Sequence, residues 1–295
     1  MEPAKKLSRR SLLKTSAVAA GAILAGGPAA AGPKPSGGAA IVIDCHAHLH
    51  HHGNAKYAEK DRQLIEAADK LGIHRLCCSI LTPARPATAD GFRACNRWLA
   101  EAAARFSDRV WGYCYVNPEC GREAVDEIRR CVDERGFIGV KLYNERVCTD
   151  PVVAPVVETA IELGVPILHH AGHAHYPLPG QPNISDGGHL AELGRRYPEA
   201  RLICAHVGGG GDWEWTIKAL RHASNVYLDT SGSVTDEGMI EMAAEILGVD
   251  RLLFGCDMSM TAGVGKIRAA RLDAESKRNI LGGNMNRLLA TRNKS

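Results

Sequence analysis

The chain has 295 residues, of which 45% are hydrophobic and 23% charged, and its formal net charge is +3. This length and apolar content suit one large core, and α/β barrels commonly reach this length as a single domain. Lysines and arginines are spread along the chain, and no basic run with interleaved aromatic residues follows the N-terminus. That distribution argues against nucleic acid as a partner.

The N-terminal residues have the pattern of an export signal. Paired arginines, Arg9 and Arg10, precede two leucines and a lysine, and a weakly apolar run covers residues 17–27. Three alanines at 29–31 then offer an Ala-x-Ala cleavage site. The pattern is typical of a twin-arginine signal, and the apolar run is too short for a comfortable transmembrane helix. The alternative is a basic, disordered N-terminus in which the arginine pair arose by chance.

These features divide the chain into three segments. We expect a signal peptide over residues 1–31, a Pro/Gly-rich linker over 32–40 and a catalytic domain over 41–295. The mature protein would then be periplasmic or extracellular, without stable membrane insertion. A homo-oligomer is compatible with this organisation.

From residue 41 onwards, β-rich runs alternate with amphipathic runs. The β-rich runs predict eight strands, at 41–47, 74–80, 110–116, 137–142, 165–170, 201–206, 225–229 and 251–256. The amphipathic runs predict helices at 57–71, 91–106, 121–134, 151–163, 188–197, 212–222 and 237–247, with one or two more in the tail, 262–289.

Eight strand–helix units are the number found in an α/β fold of the (β/α)8 TIM-barrel type. The alternative is a doubly wound open sheet, which would usually show a glycine-rich phosphate-binding turn after an early strand. No such turn follows the first strand, and the glycines at 208–211 lack the required spacing. The barrel is therefore the predicted fold.

The first strand ends in a His-x-His motif. Side chains alternate along a strand, so His46 and His48 would share one face while Cys45 and Ala47 point the other way. Two imidazoles placed like this can converge on one ion at about 2.0–2.1 Å. Imidazole suits zinc and other late first-row metals. The alternative is two polar residues on an edge strand, or a satisfied core histidine.

Polar residues also end other predicted strands. Strand four ends in Lys141, strand five in His169 and His170, strand six in His206 and strand eight in Asp257. In a barrel of this type the active site forms at the carboxyl ends of the strands. Histidine and aspartate from strands distant in sequence therefore meet at one end, which predicts a metal site.

Together these motifs resemble the amidohydrolase-related (amidohydrolase 2) family. This family is the branch of the amidohydrolase superfamily that includes aminocarboxymuconate-semialdehyde decarboxylase-like enzymes. The resemblance runs from about Ile41 to Leu289 and rests on the motifs at 44–48, 139–142, 168–172, 205–209 and 254–257. It implies a metal held by His46, His48, His170 and Asp257, with His206 beside the metal.

The chemistry of these side chains agrees with those roles. A divalent ion with an open position lowers the pKa of bound water to about 7. Asp257 could then ligate the ion and accept a proton, and His206 could polarise a carbonyl or shuttle a proton. The structural alternatives are a helix N-cap for Asp257 and a buried hydrogen-bonding role for His206.

Several neighbouring histidines receive other assignments. Adjacent residues face opposite ways, so only one of His169 and His170 can be a ligand. Alignment with the family pattern favours His170, and His169 would then face the helical layer. His173, His175 and His189 lie in or near the loop after strand five, where solvated histidines are expected rather than substrate contacts.

Lys141 leaves the number of metals open. In binuclear members of the superfamily a strand-four lysine is carboxylated and bridges two metals, whereas in the resembled branch a lysine here often occurs beside a single metal. We expect one divalent ion, zinc with manganese as the alternative, and a second ion bridged by Lys141 as the other arrangement.

Three functions are compatible with such a site. The leading prediction is a metal-dependent hydrolase that uses metal-activated water on an amide, ester or lactone bond of a small molecule. The alternative is a metal-dependent, non-oxidative decarboxylase of a small carboxylic acid, because the two chemistries share their ligands. The third is a catalytically idle metal-binding protein of the cell envelope.

The ten cysteines predict no metal site of their own, since no Cys-x-x-Cys pair occurs. Six of them lie in apolar, strand-like runs, where cysteine is usually a small buried hydrophobe. These six are Cys45, Cys77, Cys78, Cys114, Cys204 and Cys256.

Overall fold

The computed structural model describes residues 41–50, 55–172, 181, 183–207, 209 and 211–290. The predicted signal peptide and linker lie outside the described residues. Eight parallel strands follow one another in chain order, each hydrogen-bonded to the next. They are β1 (Ile43–His48), β2 (Arg75–Ser79), β3 (Val110–Tyr115), β4 (Gly139–Leu142), β5 (Ile167–His169), β6 (Leu202–Cys204), β7 (Val226–Asp229) and β8 (Leu252–Leu253).

The segment after β8 brings the sheet back to β1. The Cys45 N–H donates to the Phe254 carbonyl at 2.8 Å, and the Asp257 N–H donates to the His46 carbonyl at 2.6 Å. A parallel bridge also pairs Ala47 with Asp257. The eight strands therefore form a nearly closed barrel. The (β/α)8 prediction is confirmed, and the open-sheet alternative is wrong.

Helices connect the strands on the outside of the barrel. They are α1 (Ala55–Leu71), α2 (Ala89–Arg105), α3 (Arg122–Asp133), α4 (Ala154–Glu162), α5 (Gly187–Arg196), α6 (Trp213–Leu220), α7 (Met239–Leu247), α8 (Met260–Ala269), α9 (Ala274–Arg278) and α10 (Asn284–Ala290). The predicted helix at 151–163 begins as a 3₁₀ turn, Pro151–Val153, because Pro151 has no N–H and Asp150 caps the turn at Val152. The tail holds three helices rather than one or two, and a π-helical turn, Asn279–Gly283, joins the last two. Within the described ranges, no helix combines the length and apolar character that a membrane crossing requires.

The core has two layers, as a barrel surrounded by helices requires. The larger layer lies between the strands and the helices. The smaller layer fills the barrel and includes Ile43, Cys77, Tyr113, Leu168 and Ile203. The six cysteines predicted to be buried are buried, and all ten are free thiols.

Strand β1 departs from simple alternation. Its register with β2 shifts by one residue between Asp44 and Ala47. Cys45 belongs to the cluster inside the barrel together with Ile43, whereas Ala47 packs in the outer layer. We predict from the sequence that Cys45 faces away from His46 and His48. That prediction is wrong, because Cys45 lies inside the barrel. An irregularity of this kind re-aims the side chains that follow it, here those of the His-x-His motif.

Candidate active site

Polar side chains from six strands meet at the carboxyl end of the barrel. The strands place their last three residues, or residues up to four positions after the strand end, on this rim. These side chains are His46 and His48 on β1, Lys141 on β4, His170 after β5, His206 after β6, Asp229 on β7 and Asp257 after β8.

Three of the predicted side chains form a close group of metal-type donors. The Nε2 of His48 lies 3.2 Å from Oδ1 of Asp257, and the Nε2 of His46 lies 3.8 Å from the same oxygen. One donor atom from each of the three residues lies within 4.8 Å of the other two. Two ligands at about 2.0–2.2 Å from one ion have separations of this size, so the donor set fits a divalent metal.

Two residues of the site have a backbone conformation that non-glycine residues seldom adopt. The φ angle is 69° for His206 and 52° for Asp257. Such residues cost of order 1–3 kcal/mol each and persist where surrounding contacts hold them. The hydrogen bond from the Asp257 N–H to His46 is one such contact. The fold therefore holds the Asp257 backbone against β1 at an energetic cost.

His46 is held from both of its ring nitrogens. Its Nδ1 lies 2.8 Å from Oδ2 of Asp229, and its Nε2 lies 2.9 Å from Nζ of Lys141. Burial lowers the pKa of His46 to about 3, and the Lys141 charge acts in the same direction, although Asp229 opposes both. The imidazole is therefore neutral at neutral pH, as a metal ligand must be.

Lys141 is fully buried beside His46. Burial lowers the pKa of its ammonium group from 10.5 to about 8, although Asp257 and Asp229 oppose the shift. The Nζ contacts the same nitrogen of His46 that faces Asp257. A lysine beside Nε2 of His46 is compatible both with one metal and with two metals bridged by Lys141. The number of metals therefore stays a prediction.

His206 and His170 form a second group beside the first. The Nδ1 of His206 lies 2.9 Å from Oγ of Ser231 and 3.8 Å from Oδ2 of Asp257. The Nε2 of His206 lies 2.9 Å from Nδ1 of His170. Burial lowers the pKa of both imidazoles. His206 thus lies next to Asp257, whereas His170 contacts His206. The role of His170 as a metal ligand stays a prediction.

The other histidines near strand five have separate contacts. The His169 ring is buried, and its Nδ1 donates to the His170 carbonyl at 2.7 Å. His189 caps α5 together with Asp186, each side chain bonding the other's backbone N–H. His173 and His175 lie outside the described residues.

Sequence reasoning missed several residues of the site. Asp229 and Ser231 contact both His46 and His206. Asp229 is the last residue of the predicted strand 225–229, so the signal that pointed to Lys141 and His206 applies to it as well. Arg85, in the loop after β2, follows no such pattern.

Arg85 approaches the site through aromatic stacking. Its guanidinium carbon lies 3.7 Å from the centre of the Tyr143 ring, which stacks on His170 with ring centres 4.2 Å apart. Its Nη1 also donates to Oε1 of Glu145 at 2.9 Å and to the Tyr115 hydroxyl at 3.0 Å. The Tyr143 ring therefore lies between the positively charged guanidinium of Arg85 and the imidazole of His170.

A parallel barrel with clustered histidines and an aspartate at its carboxyl end defines a metal-dependent enzyme of the TIM-barrel class. The sequence pattern of the Amidohydrolase family (Amidohydro_2) matches residues 43–290. The chain belongs to this family, and the predicted family resemblance is confirmed. It is thus an enzyme of the metal-dependent amidohydrolase superfamily.

Relatives with assigned activities include decarboxylases and a hydratase. Gamma-resorcylate decarboxylase of Polaromonas sp. strain JS666 is 28% identical over 255 residues, covering 67% of this chain and 76% of the relative. 2-Keto-4-carboxy-3-hexenedioate hydratase of Sphingobium sp. is 26% identical over 211 residues, covering 60% and 59%. 2-Amino-3-carboxymuconate-6-semialdehyde decarboxylase of Dictyostelium discoideum is 23% identical over 233 residues, covering 64% and 63%. The aligned stretch thus spans less than two thirds of the last two relatives.

Solved structures show the same fold. A dihydroxybenzoic acid decarboxylase from Polaromonas sp. JS666, with bound manganese and the inhibitor 2-nitroresorcinol, superposes with a TM-score of 0.65. The two chains are 20% identical, and the match covers 85% of this chain and 97% of the other.

Proposed function

We propose that this enzyme is a metal-dependent, non-oxidative decarboxylase of a small carboxylic acid. The observation that carries the proposal is the recurrence of decarboxylases among the relatives of a chain with this donor set. The hydrolase that leads the sequence-based predictions is less well supported, because the relatives favour the alternative. The substrate would be an unsaturated or aromatic acid, as the acids named for these relatives are.

The metal would be held by His46, His48 and Asp257, with His170 as the fourth predicted ligand. When bound, a divalent ion would supply positive charge that binds and polarises an acidic substrate. The manganese in the Polaromonas relative supports manganese over the zinc that we predict from the sequence. Metal analysis of the purified protein decides between the two ions. Metal content that falls as far in His170→Asn as in His48→Asn would support His170 as a ligand.

Proton transfer would fall to the pair His206 and Asp257. Loss of carbon dioxide leaves an electron pair on carbon, and that carbon must then receive a proton. Burial raises the pKa of Asp257, but the hydrogen bond from His48 and the neighbouring histidines hold it well below its usual range. Asp257 is therefore ionised at neutral pH and can accept a proton, and the neutral ring of His206, whose Nδ1 lies 3.8 Å from Oδ2 of Asp257, can donate one.

Isotope labelling separates the two chemistries. Manganese-loaded protein would be given acids such as 2,6-dihydroxybenzoate and 5-carboxyvanillate, which are named for its structural neighbours. Decarboxylation in D₂O should release carbon dioxide and leave one deuterium on the carbon that lost it. Incorporation of ¹⁸O from labelled water into a product of an amide, ester or lactone, without carbon dioxide release, would favour the hydrolase instead. Binding of metal without turnover in a broad screen would favour the idle protein.

We also propose that the protein is exported by the twin-arginine route, which the paired Arg9 and Arg10 support. The double variant Arg9→Lys/Arg10→Lys should accumulate as uncleaved precursor in the cytoplasm. Normal maturation of that variant would argue against this route. Mass spectrometry of the mature N-terminus tests cleavage before Gly32.

A homo-oligomeric state stays a prediction. Light scattering of the purified, metal-loaded protein measures it directly, and a monomeric mass would contradict it.

A further inference from the structure

We propose that Asp229 is a positioning residue that selects the ring tautomers of His46 and His206, and so keeps a lone pair of His46 available to the metal. The inference rests on the metal site proposed above. Asp229 is fully buried at the end of β7, on the opposite side of His46 from Lys141. Its two oxygens are taken up by His46, His206 and Ser231, and we infer that it acts on the site through these residues.

Both oxygens of Asp229 accept hydrogen bonds from the site. Oδ2 lies 2.8 Å from Nδ1 of His46. Oδ1 accepts from the His206 N–H at 3.0 Å, from the Ser231 N–H at 2.9 Å and from the Ser231 hydroxyl at 2.5 Å. One carboxylate thus connects residues carried by β1, by the segment after β6 and by the segment after β7.

The carboxylate dictates where the proton on His46 resides. An ionised carboxylate can only accept hydrogen bonds, so Nδ1 of His46 must carry the hydrogen that lies between them. The neutral ring then has its lone pair on Nε2, the nitrogen that faces Asp257 and Lys141. A metal can bind only that lone pair, and an outer carboxylate commonly orients metal-binding histidines in this way.

The same carboxylate acts on His206 through Ser231. A serine hydroxyl has one hydrogen, and Ser231 donates it to Asp229. Its oxygen must then accept from Nδ1 of His206, 2.9 Å away, which leaves the lone pair of His206 on Nε2. The bond from the His206 N–H to Asp229 also helps to hold the left-handed backbone of His206.

The substitution Asp229→Asn isolates this role because the two side chains have nearly the same shape. Three donors surround Oδ1, so the amide oxygen must occupy that position. The amide NH₂ then occupies the Oδ2 position and donates to Nδ1 of His46. This forces the hydrogen of the His46 ring onto Nε2 and removes the lone pair that faces Asp257.

Asp44 offers a matched control. It is also fully buried, and its Oδ1 accepts from the His46 N–H and the Cys256 N–H, both at 3.0 Å. Among the described residues, neither of its oxygens is hydrogen-bonded to a ring nitrogen of His46. The substitution Asp44→Asn can therefore keep both bonds through its amide oxygen and changes no contact with a ring nitrogen of His46.

The experiment measures manganese affinity of the full chain by competition with a chelating indicator. Asp229→Asn should bind manganese about 10–100-fold more weakly than the wild type, the loss typical of an outer partner of a metal ligand. Asp44→Asn should stay within a few-fold of the wild type. Equal affinities for wild type and Asp229→Asn, or equal losses in the two variants, would overturn the proposal.

Histidine ¹⁵N chemical shifts of the metal-free protein test the tautomer itself. The His46 ring should carry its hydrogen on Nδ1 in the wild type and on Nε2 in Asp229→Asn. A hydrogen on Nε2 of His46 in the wild type would overturn the proposal, even if Asp229→Asn fails to fold. A wild type that shows the expected tautomer but binds neither manganese nor zinc would refute the proposed metal site while supporting the role of Asp229.

Discussion

We propose both a metal-binding role and a proton-transfer role for Asp257, because its carboxylate lies 3.2 Å from Nε2 of His48 and 3.8 Å from Nδ1 of His206. Asp257→Asn keeps the shape of the side chain but removes its charge. Turnover should fall by at least the ~10²-fold typical of a lost proton-transfer group, and metal affinity should fall as well. Steady-state kinetics at saturating manganese separates the two effects. Turnover restored by excess metal would show that Asp257 serves only as a ligand.

His169 makes the fold sensitive to acid. Burial lowers the pKa of its ring from 6.5 to about 4, which the hydrogen bond to His170 only partly opposes. Between pH 6.5 and 4 the unfolded chain binds a proton that the folded protein does not bind, so the free energy of unfolding falls as the pH falls. The loss from this one group reaches about 3 kcal/mol once the pH is below about 4.

The variant His169→Asn tests this contribution. Asparagine cannot titrate and keeps an N–H donor for the His170 carbonyl, so its stability should depend less on pH across that window. Urea unfolding of the metal-free protein at a series of pH values measures the difference. The exposed His222, changed to asparagine, is the control and should leave the slope unchanged.

At the scale of single elements, the segment 254–257 matters most, because it closes the barrel and carries Asp257. Helix α8 packs on this segment through Gly263. A Cβ atom at Gly263 would lie 2.8 Å from Sγ of Cys256 and 3.1 Å from the Gly255 carbonyl oxygen. The helix can therefore approach the segment closely only with glycine at this position.

Two glycines of α8 give a matched pair of substitutions. Gly263→Ala should destabilise the protein by about 1–3 kcal/mol, because the methyl group overpacks the contact. Gly265→Ala meets nothing within 4 Å and should stabilise the helix by roughly 0.5–1 kcal/mol. Urea unfolding measures both changes. Equal changes in the free energy of unfolding for the two substitutions would show that α8 does not pack closely against residues 254–257.

At the scale of the whole molecule, a metal ion would tie β1 to the segment after β8. A ligand that binds only the folded state stabilises it by about 2.7 kcal/mol at a concentration 100 times its dissociation constant. For a domain of this size that corresponds to a rise in Tm of roughly 5–10 °C. Manganese should produce this rise in the wild type, measured by thermal denaturation with and without a chelator. The same rise in the double variant His46→Ala/His48→Ala would place the metal elsewhere.

The barrel and most of the residues on its rim could be predicted from the sequence. Eight β-rich runs separated by amphipathic runs are compatible with few folds. The strands occur where the pattern predicts them, with bounds that differ by a few residues. The polar residues that end the runs at 46, 48, 141, 206 and 257 meet at one end, because parallel strands of a barrel place their carboxyl ends together.

Which of these side chains touch depends on the tertiary structure. The register shift in β1 puts Cys45 inside the barrel, a result that alternation along one strand could not reveal, since the pairing with β2 sets it. The partnership of Asp229 with His46 joins residues 183 positions apart, and no local pattern in the chain encodes a distance of that kind. Sequence periodicity reports the face of a single element, whereas a site depends on how the barrel closes and which ring nitrogen each neighbour can reach.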